Sequence, residues 1–331
     1  MTAAPRLRNI LAASVLVAMS ASAAAQQKLR EVTVALSSAS LGAASPRVAK
    51  ELGLFEKHGL SAKVVPMDSA NTSLAALISK SADAALASSG TVINATLRGQ
   101  KIVAVANLYG GFATTMVVSN AAAAKMGVRT DAPPEQRLKA ADGLTIATPE
   151  AAAGSTLGFK AAMASVDGAF RFTYMPQQSM QAALENGAID GYLASAPFWA
   201  GPVANGKGVV WISGPKNELP AKAVNGTSTQ LQMLRSTVES DPDLVNRLVA
   251  VFNDFKKAIV ERPAEVRAAT QRVFPDLDPK VLDVVYPNES AAWNGKVLTR
   301  DDMIREIEFI KRSGGQFPGI DGVDPGSLIW P

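Results

Sequence analysis

Short apolar runs alternate with mixed polar and apolar stretches through the first two thirds of the chain. Residues 31–36 read as a strand, and a Ser-rich loop, Ser37-Ser38-Ala39-Ser40-Leu41-Gly42, follows it. Ser45-Pro46 then predicts a helix start, with Ser as the N-cap and Pro at the first helical position, and this helix runs toward Gly59. The pattern goes on as strand 62–66, helix 73–80, strand 82–87, helix 92–98 and strand 102–108. Strands alternating with helices in this way predict βαβ units and a mainly parallel sheet.

The second half of the chain echoes the first. Ala76-Leu77, Asp83 and Leu86-Ala87-Ser88 recur at the same spacing as Ala183-Leu184, Asp190 and Leu193-Ala194-Ser195. Upstream, Val32-Thr33-Val34-Ala35 is matched by Leu144-Thr145-Ile146-Ala147. The alternation stops after Ser213-Gly214-Pro215. Beyond it, residues 223–232 are expected to return to the first unit, and Ser240-Asp241-Pro242 opens a long helix over 243–261. That helix is apolar at Leu244, Leu248, Val251, Phe252 and Phe255, one helical face for a core. Two further helices, near 263–272 and 300–312, complete the expected set.

The N-terminus follows a different pattern. Arg6 and Arg8 precede a charge-free apolar run over 10–19, and Ala23-Ala24-Ala25 ends the segment in small residues. This is the three-part signature of a secretory signal peptide over residues 1–25. Its removal lowers the formal net charge from +4 to about +2. The remaining charges are scattered, without the basic stripe that nucleic-acid binding needs. With no cysteine in 331 residues, thiol catalysis, disulfides, thiolate metal sites and lipid attachment through an N-terminal Cys are all excluded. The one histidine, His58, reads as a solvated helix end before Gly59.

The chain resembles the solute-binding proteins of ABC transporters for nitrate, aliphatic sulfonates and taurine, with the related thiamine-pyrimidine precursor group. The similarity lies in the run from Val48-Ala49-Lys50-Glu51-Leu52-Gly53 to His58-Gly59-Leu60, in Gly99-Gln100-Lys101-Ile102-Val103, and in Gly154-Ser155, Ala196-Pro197, Asp241-Pro242-Asp243 and Phe274-Pro275. The resemblance implies an α/β, two-lobed type II periplasmic-binding fold with C-terminal helices. Lobe 1 is expected to comprise 26–121 and 226–331, and lobe 2 to comprise 122–225. The crossings are expected near 119–124 and 223–229, and the lobes close on a ligand. It further implies a periplasmic monomer without cofactor or metal, partnered by an inner-membrane permease and ATPase, and binding rather than turning over its ligand. An enzyme on the same fold, like chorismate dehydratase or pyrimidine synthase, or a ligand-sensing module for a membrane receptor, is the alternative.

In parallel sheets, ligands bind beyond the carboxyl ends of the strands. The loops there propose Ser38, Ser40, Ser69, Ser88, Ser89, Gly90, Thr91, Gly154, Ser155, Thr156, Gln178 and Ser195 as ligand contacts. The resemblance adds Leu41, Gly42 and Pro197. Tyr109, Phe112, Phe198 and Trp293 are candidate aromatic covers. No Lys or Arg lies in the main loops, so hydroxyls and helix N-termini are expected to hold one anionic head, a sulfonate or a carboxylate. For a cation, Asp68 and Glu150 are the candidate carboxylates.

Overall fold

The computed structural model describes residues 28–149, 151, 154–220, 227–312 and 317–330. The predicted signal peptide and Glu150 lie outside them. From the start, β1 (Arg30–Leu36) leads through a 3-10 turn (Leu41–Ala43) to α1 (Ser45–Glu51), α2 (Leu54–Lys57), β2 (Leu60–Pro66), α3 (Ala70–Ile78), β3 (Ala84–Ala87), α4 (Ser89–Leu97) and β4 (Ile102–Gly110). A second series follows: β5 (Thr115–Ser119), α5 (Asn120–Met126), α6 (Pro134–Ala140), β6 (Thr145–Thr148), α7 (Gly154–Ala164), β7 (Arg171–Tyr174), α8 (Gln177–Glu185), β8 (Gly191–Ala194), α9 (Ala200–Ala204) and β9 (Gly208–Ser213). The chain then runs through β10 (Thr227–Leu234), α10 (Arg235–Ser240), α11 (Pro242–Glu261), α12 (Pro263–Val273), α13 (Pro279–Trp293) and α14 (Arg300–Arg312).

The strands form two five-stranded sheets, ordered β2-β1-β3-β10-β4 and β7-β6-β8-β5-β9. Their plans match. The first three strands of each are parallel, and the fourth, β10 or β5, pairs antiparallel with both neighbours. Each sheet is therefore mixed, with four strands running one way and one the other. The echo in the sequence is real in three dimensions, with β1 matching β6 and β3 matching β8.

The antiparallel strands are where the chain changes sheets. The strand over 115–119, placed in lobe 1 by the expected boundary at 121, is hydrogen-bonded to β8 and β9 of the second sheet. The first crossing thus lies between Gly110 and Thr115, ahead of the expected 119–124. Residue patterning alone does not reveal it, because an apolar strand reads the same in either sheet. The two crossings run side by side: Phe112 N donates to Gly214 O at 3.3 Å, and Gly214 N donates to Thr114 O at 3.0 Å.

The core of the first sheet rests on α11. Leu244, Leu248, Val251, Phe252 and Phe255 are all buried, as the helical stripe predicts, and Phe252 meets Phe55 edge to face at 6.1 Å. A second core under the other sheet gathers Phe112, Phe159 and Trp211. Three local readings change. The helix from Ser45 breaks at Gly53, whose φ of +70° favours glycine, so α1 and α2 are separate. Ser45 is not the cap; its hydroxyl donates to Leu108 O at 3.1 Å inside the core. His58 is not simply solvated, since its Nε2 lies 2.8 Å from Asp254 Oδ2.

One helix escapes the sequence pattern entirely. Between the expected helices at 263–272 and 300–312 stands α13, fifteen residues long, with Pro287 inside it. Its buried face includes Leu282, Val285, Glu289, Ala292 and Trp293. An interior proline and a carboxylate on the apolar stripe both argue against a helix locally. Packing of that stripe against β4 and α9 outweighs them.

Candidate functional site

Loops from both sheets meet in a cavity of about 120 Å³. The first sheet supplies Ser37, Ser38 and Ser40 beyond the carboxyl end of β1, Gly42 and Ala43 of the 3-10 turn, Tyr109 near the end of β4, and Thr229 of β10. The second supplies Ser195 and Ala196, just past β8. Ala113 of the first crossing and Glu289 of α13 close it. Five of the predicted contacts, Ser38, Ser40, Gly42, Tyr109 and Ser195, are thus brought together.

Their hydroxyls are already partly engaged. Ser38 Oγ and Ser40 Oγ lie 2.8 Å apart, and Ser38 Oγ also accepts the Ser40 amide at 3.3 Å. Ser195 is held by Gln177, whose Oε1 accepts the Ser195 amide at 3.0 Å and its hydroxyl at 3.4 Å. The predicted Gln178 is exposed; its neighbour Gln177, in the same first turn of α8, makes the contact.

Glu289 is a cavity residue outside the predicted set. It is 1% exposed, with the Tyr109 hydroxyl donating to its Oε2 at 3.1 Å and no partner for Oε1. Burial in apolar surroundings pushes its carboxyl up to about 8, and the Tyr109 hydrogen bond pulls only partly the other way. The same burial, with Glu289 beside it, pushes the Tyr109 phenol well up. One signal in the sequence marks the residue: a Glu on the Leu282, Val285, Ala292, Trp293 stripe, where an apolar side chain belongs. Among the described residues, no Lys or Arg lines the cavity.

The other predicted contacts lie elsewhere. Leu41 and Trp293 are core: the Trp293 indole donates to Leu41 O at 3.2 Å and packs 6.0 Å from the Phe255 ring. Phe112 is in the second core, 6.3 Å from Phe159. Ser69 and Ser88 are N-caps, accepting the amides of Thr72 and Thr91. Thr91 reaches back to the Ser88 hydroxyl at 2.9 Å, and Ser89, the first residue of α4, accepts from Gln230 Nε2 of β10 at 2.8 Å. Gly90 faces Ile310 of α14. Gly154 and Ser155 open α7, and Thr156 is buried with its hydroxyl 2.7 Å from that of Thr148. Phe198 is exposed, and its carbonyl accepts from Tyr192 at 2.9 Å. Pro197 follows a cis peptide bond and, like Phe198, lies outside the cavity lining. Asp68 is exposed and outside it too.

A search of curated proteins found no match. Among solved structures, the periplasmic aliphatic sulphonate binding protein SsuA of Escherichia coli superposes with a TM-score of 0.64 at 14% identity, covering 91% of this chain and 92% of that one. The periplasmic nitrate-binding protein NrtA of Synechocystis PCC 6803 gives 0.55 at 16%, covering 89% and 86%. A Candida albicans protein with the generic periplasmic binding protein structural fold gives 0.57 at 13%, covering 91% and 96%. At these identities the likeness is one of fold, and the α/β periplasmic-binding architecture expected from the sequence is the one present. Within the sequence itself, residues 25–273 match the model of the NMT1-like family, and the chain belongs to that family.

Proposed function

We propose that the mature chain is the periplasmic solute-binding component of an ABC importer. It captures a small organic solute between two lobes and delivers it to a permease driven by an ATPase. The first lobe is built on the β1–β4 and β10 sheet with the C-terminal helices, and the second on the segment 115–213. The observation that carries this reading is the cavity itself, lined by the loop after β1 of one sheet and the loop after β8 of the other. A ligand there touches both sheets, and the two adjoining crossings are the natural hinge for closure about it. Pockets assembled from the strand ends of two lobes are also characteristic of small-molecule capture.

The fold neighbours are named for sulphonate and nitrate, and they support capture of a small solute; the cavity here carries the Glu289 carboxyl, so the screen spans both signs of charge. Among the described residues no helix is long and apolar enough to cross a membrane, and export rests on the segment 1–25. The test is a thermal-shift screen of the mature chain against small sulfonates, carboxylates, nitrate, amidines and pyrimidines. A true ligand at a hundred times its dissociation constant adds about 2.7 kcal/mol of stability. No response from any class sinks the reading, and conversion of a bound compound to product moves the chain to the enzyme class. Intact-mass analysis of the periplasmic form is expected to begin at Gln26.

A further inference from the structure

We propose that Glu289 selects the ligand of this cleft, with Oε1 accepting an N–H from a small organic cation of the amidinium or guanidinium type. This inference rests on the solute-binding reading of the cleft and specifies its ligand. Glu289 lines the cavity, and its Oε1 is buried without a hydrogen-bond partner. An orphaned buried oxygen costs free energy that a donor from a ligand restores. The Ser38, Ser40 and Ser195 hydroxyls beside it add acceptors more than donors. Ser195 directs its hydrogen at Gln177 and leaves lone pairs toward the cavity. The Ser38 and Ser40 pair uses one hydrogen on itself, leaving a single donor between them. An oxyanion would meet that hydrogen, the hydroxyls of Ser37 and Thr229 and a carboxyl, with no basic side chain among the described residues of the lining.

The charged groups on the neighbouring elements do not offset Glu289. On β4 the titratable neighbour is Tyr109. α9 and β10 carry no charged residue. On α12, Arg267 pairs with Asp283 on the exposed flank of α13, and Arg272 pairs with Glu51. Further along α12, Glu265 pairs with Arg262. α11 approaches through Phe255, which packs on Trp293 of α13, while its Asp254 pairs with Lys57 and His58 and its Lys256 lines a separate groove beside Trp330. A ligand cation is therefore the partner that this carboxylate lacks. Its binding draws the proton off Glu289, whose carboxyl stands at about 8 in the free protein.

The experiment is calorimetry of the mature chain with acetamidinium and methylguanidinium on one arm and ethanesulfonate, propionate and nitrate on the other, at pH 7 and pH 9. The expected result is binding on the cation arm, with affinity rising about tenfold between the two pH values as the ionised fraction of Glu289 grows. In E289Q, which is isosteric and checked for a cooperative melt, the cation response and its pH dependence are lost. E289D, which keeps the charge, retains part of both. Binding by the anions alone, or cation affinity that E289Q leaves unchanged, overturns the inference and leaves solute capture standing. Silence on both arms overturns it together with the solute-binding reading.

Discussion

The Asp190 carboxylate accepts the backbone amide of Thr145 at 2.8 Å, tying the entry to β8 to the start of β6. The first sheet repeats the device, with the Thr33 amide donating to Asp83 at 2.7 Å. In both, the Asp amide donates back to the Thr carbonyl at 2.9 Å. The matched spacing in the sequence is thus a matched hydrogen-bonded clasp. Asp190 is half-buried and Asp83 exposed. We expect Asp190→Ala to cost about 1–2 kcal/mol and Asp83→Ala less, because water competes for the exposed pair. Urea denaturation reads both, and the double variant is expected to show the sum, the sites being in different sheets. A larger loss at Asp83 would contradict this account.

Ser88 and Ser195 occupy equivalent places in the two halves but have different jobs. Ser88→Ala is expected to lower stability by about 0.5–1 kcal/mol through loss of the α4 cap and to leave ligand affinity unchanged. Ser195→Ala is expected to weaken binding by about 0.5–1.5 kcal/mol, the worth of a neutral hydrogen bond. Melting curves and calorimetry on the same two variants separate the roles, and weaker binding in Ser88→Ala would place it in the site after all.

Gly214 leaves no room for a side chain. A Cβ there would sit 2.2 Å from Phe112 O and 2.5 Å from Thr114 O, both backbone atoms of the facing crossing. Gly214→Ala therefore pushes the two crossings apart and is expected to cost about 1–3 kcal/mol, as overpacking does. Small-angle scattering should also show the wild type contracting on ligand binding and the variant contracting less. An unchanged melting temperature in Gly214→Ala would mean that the crossings are not held as the hydrogen bonds indicate.

The pH dependence of stability follows from Glu289. Its carboxyl titrates at about 8 when folded, against an ordinary 4.5. Between those values the folded chain holds a proton that the unfolded chain has released, so its contribution is full below the lower value and shrinks as pH rises. The loss runs at up to about 1.4 kcal/mol per pH unit and stops above the folded value. Glu289→Gln removes this slope, so the variant is expected to gain on the wild type steadily across the window in ligand-free melts. Parallel curves would show that Glu289 ionises normally.

Much of the fold was legible because period and burial agree. The α11 stripe from Leu244 to Phe255 is buried residue for residue, and the strands appear where apolar runs stand between helices. What failed was decided by distant partners. Ser45 looks like a cap, yet Leu108 O takes its hydroxyl. Trp293 looks like a pocket aromatic, yet the carbonyl of Leu41, 252 positions away, holds its indole. At the site, residues directly following strands, such as Ser38 and Ser195, were readable from topology. Glu289 was not, because nothing near it in the chain says that α13 turns this face toward the loops of β1 and β8.

The second sheet has one more property. Its opening strand and its closing strand are neighbours, with Thr115 paired to Ser213 across the ladder. Adjacent strands stand about 4.8 Å apart, so the segment enters and leaves almost at one point. The first sheet therefore meets the whole of 115–213 as one insertion of narrow footprint, set between β4 and its ladder partner β10.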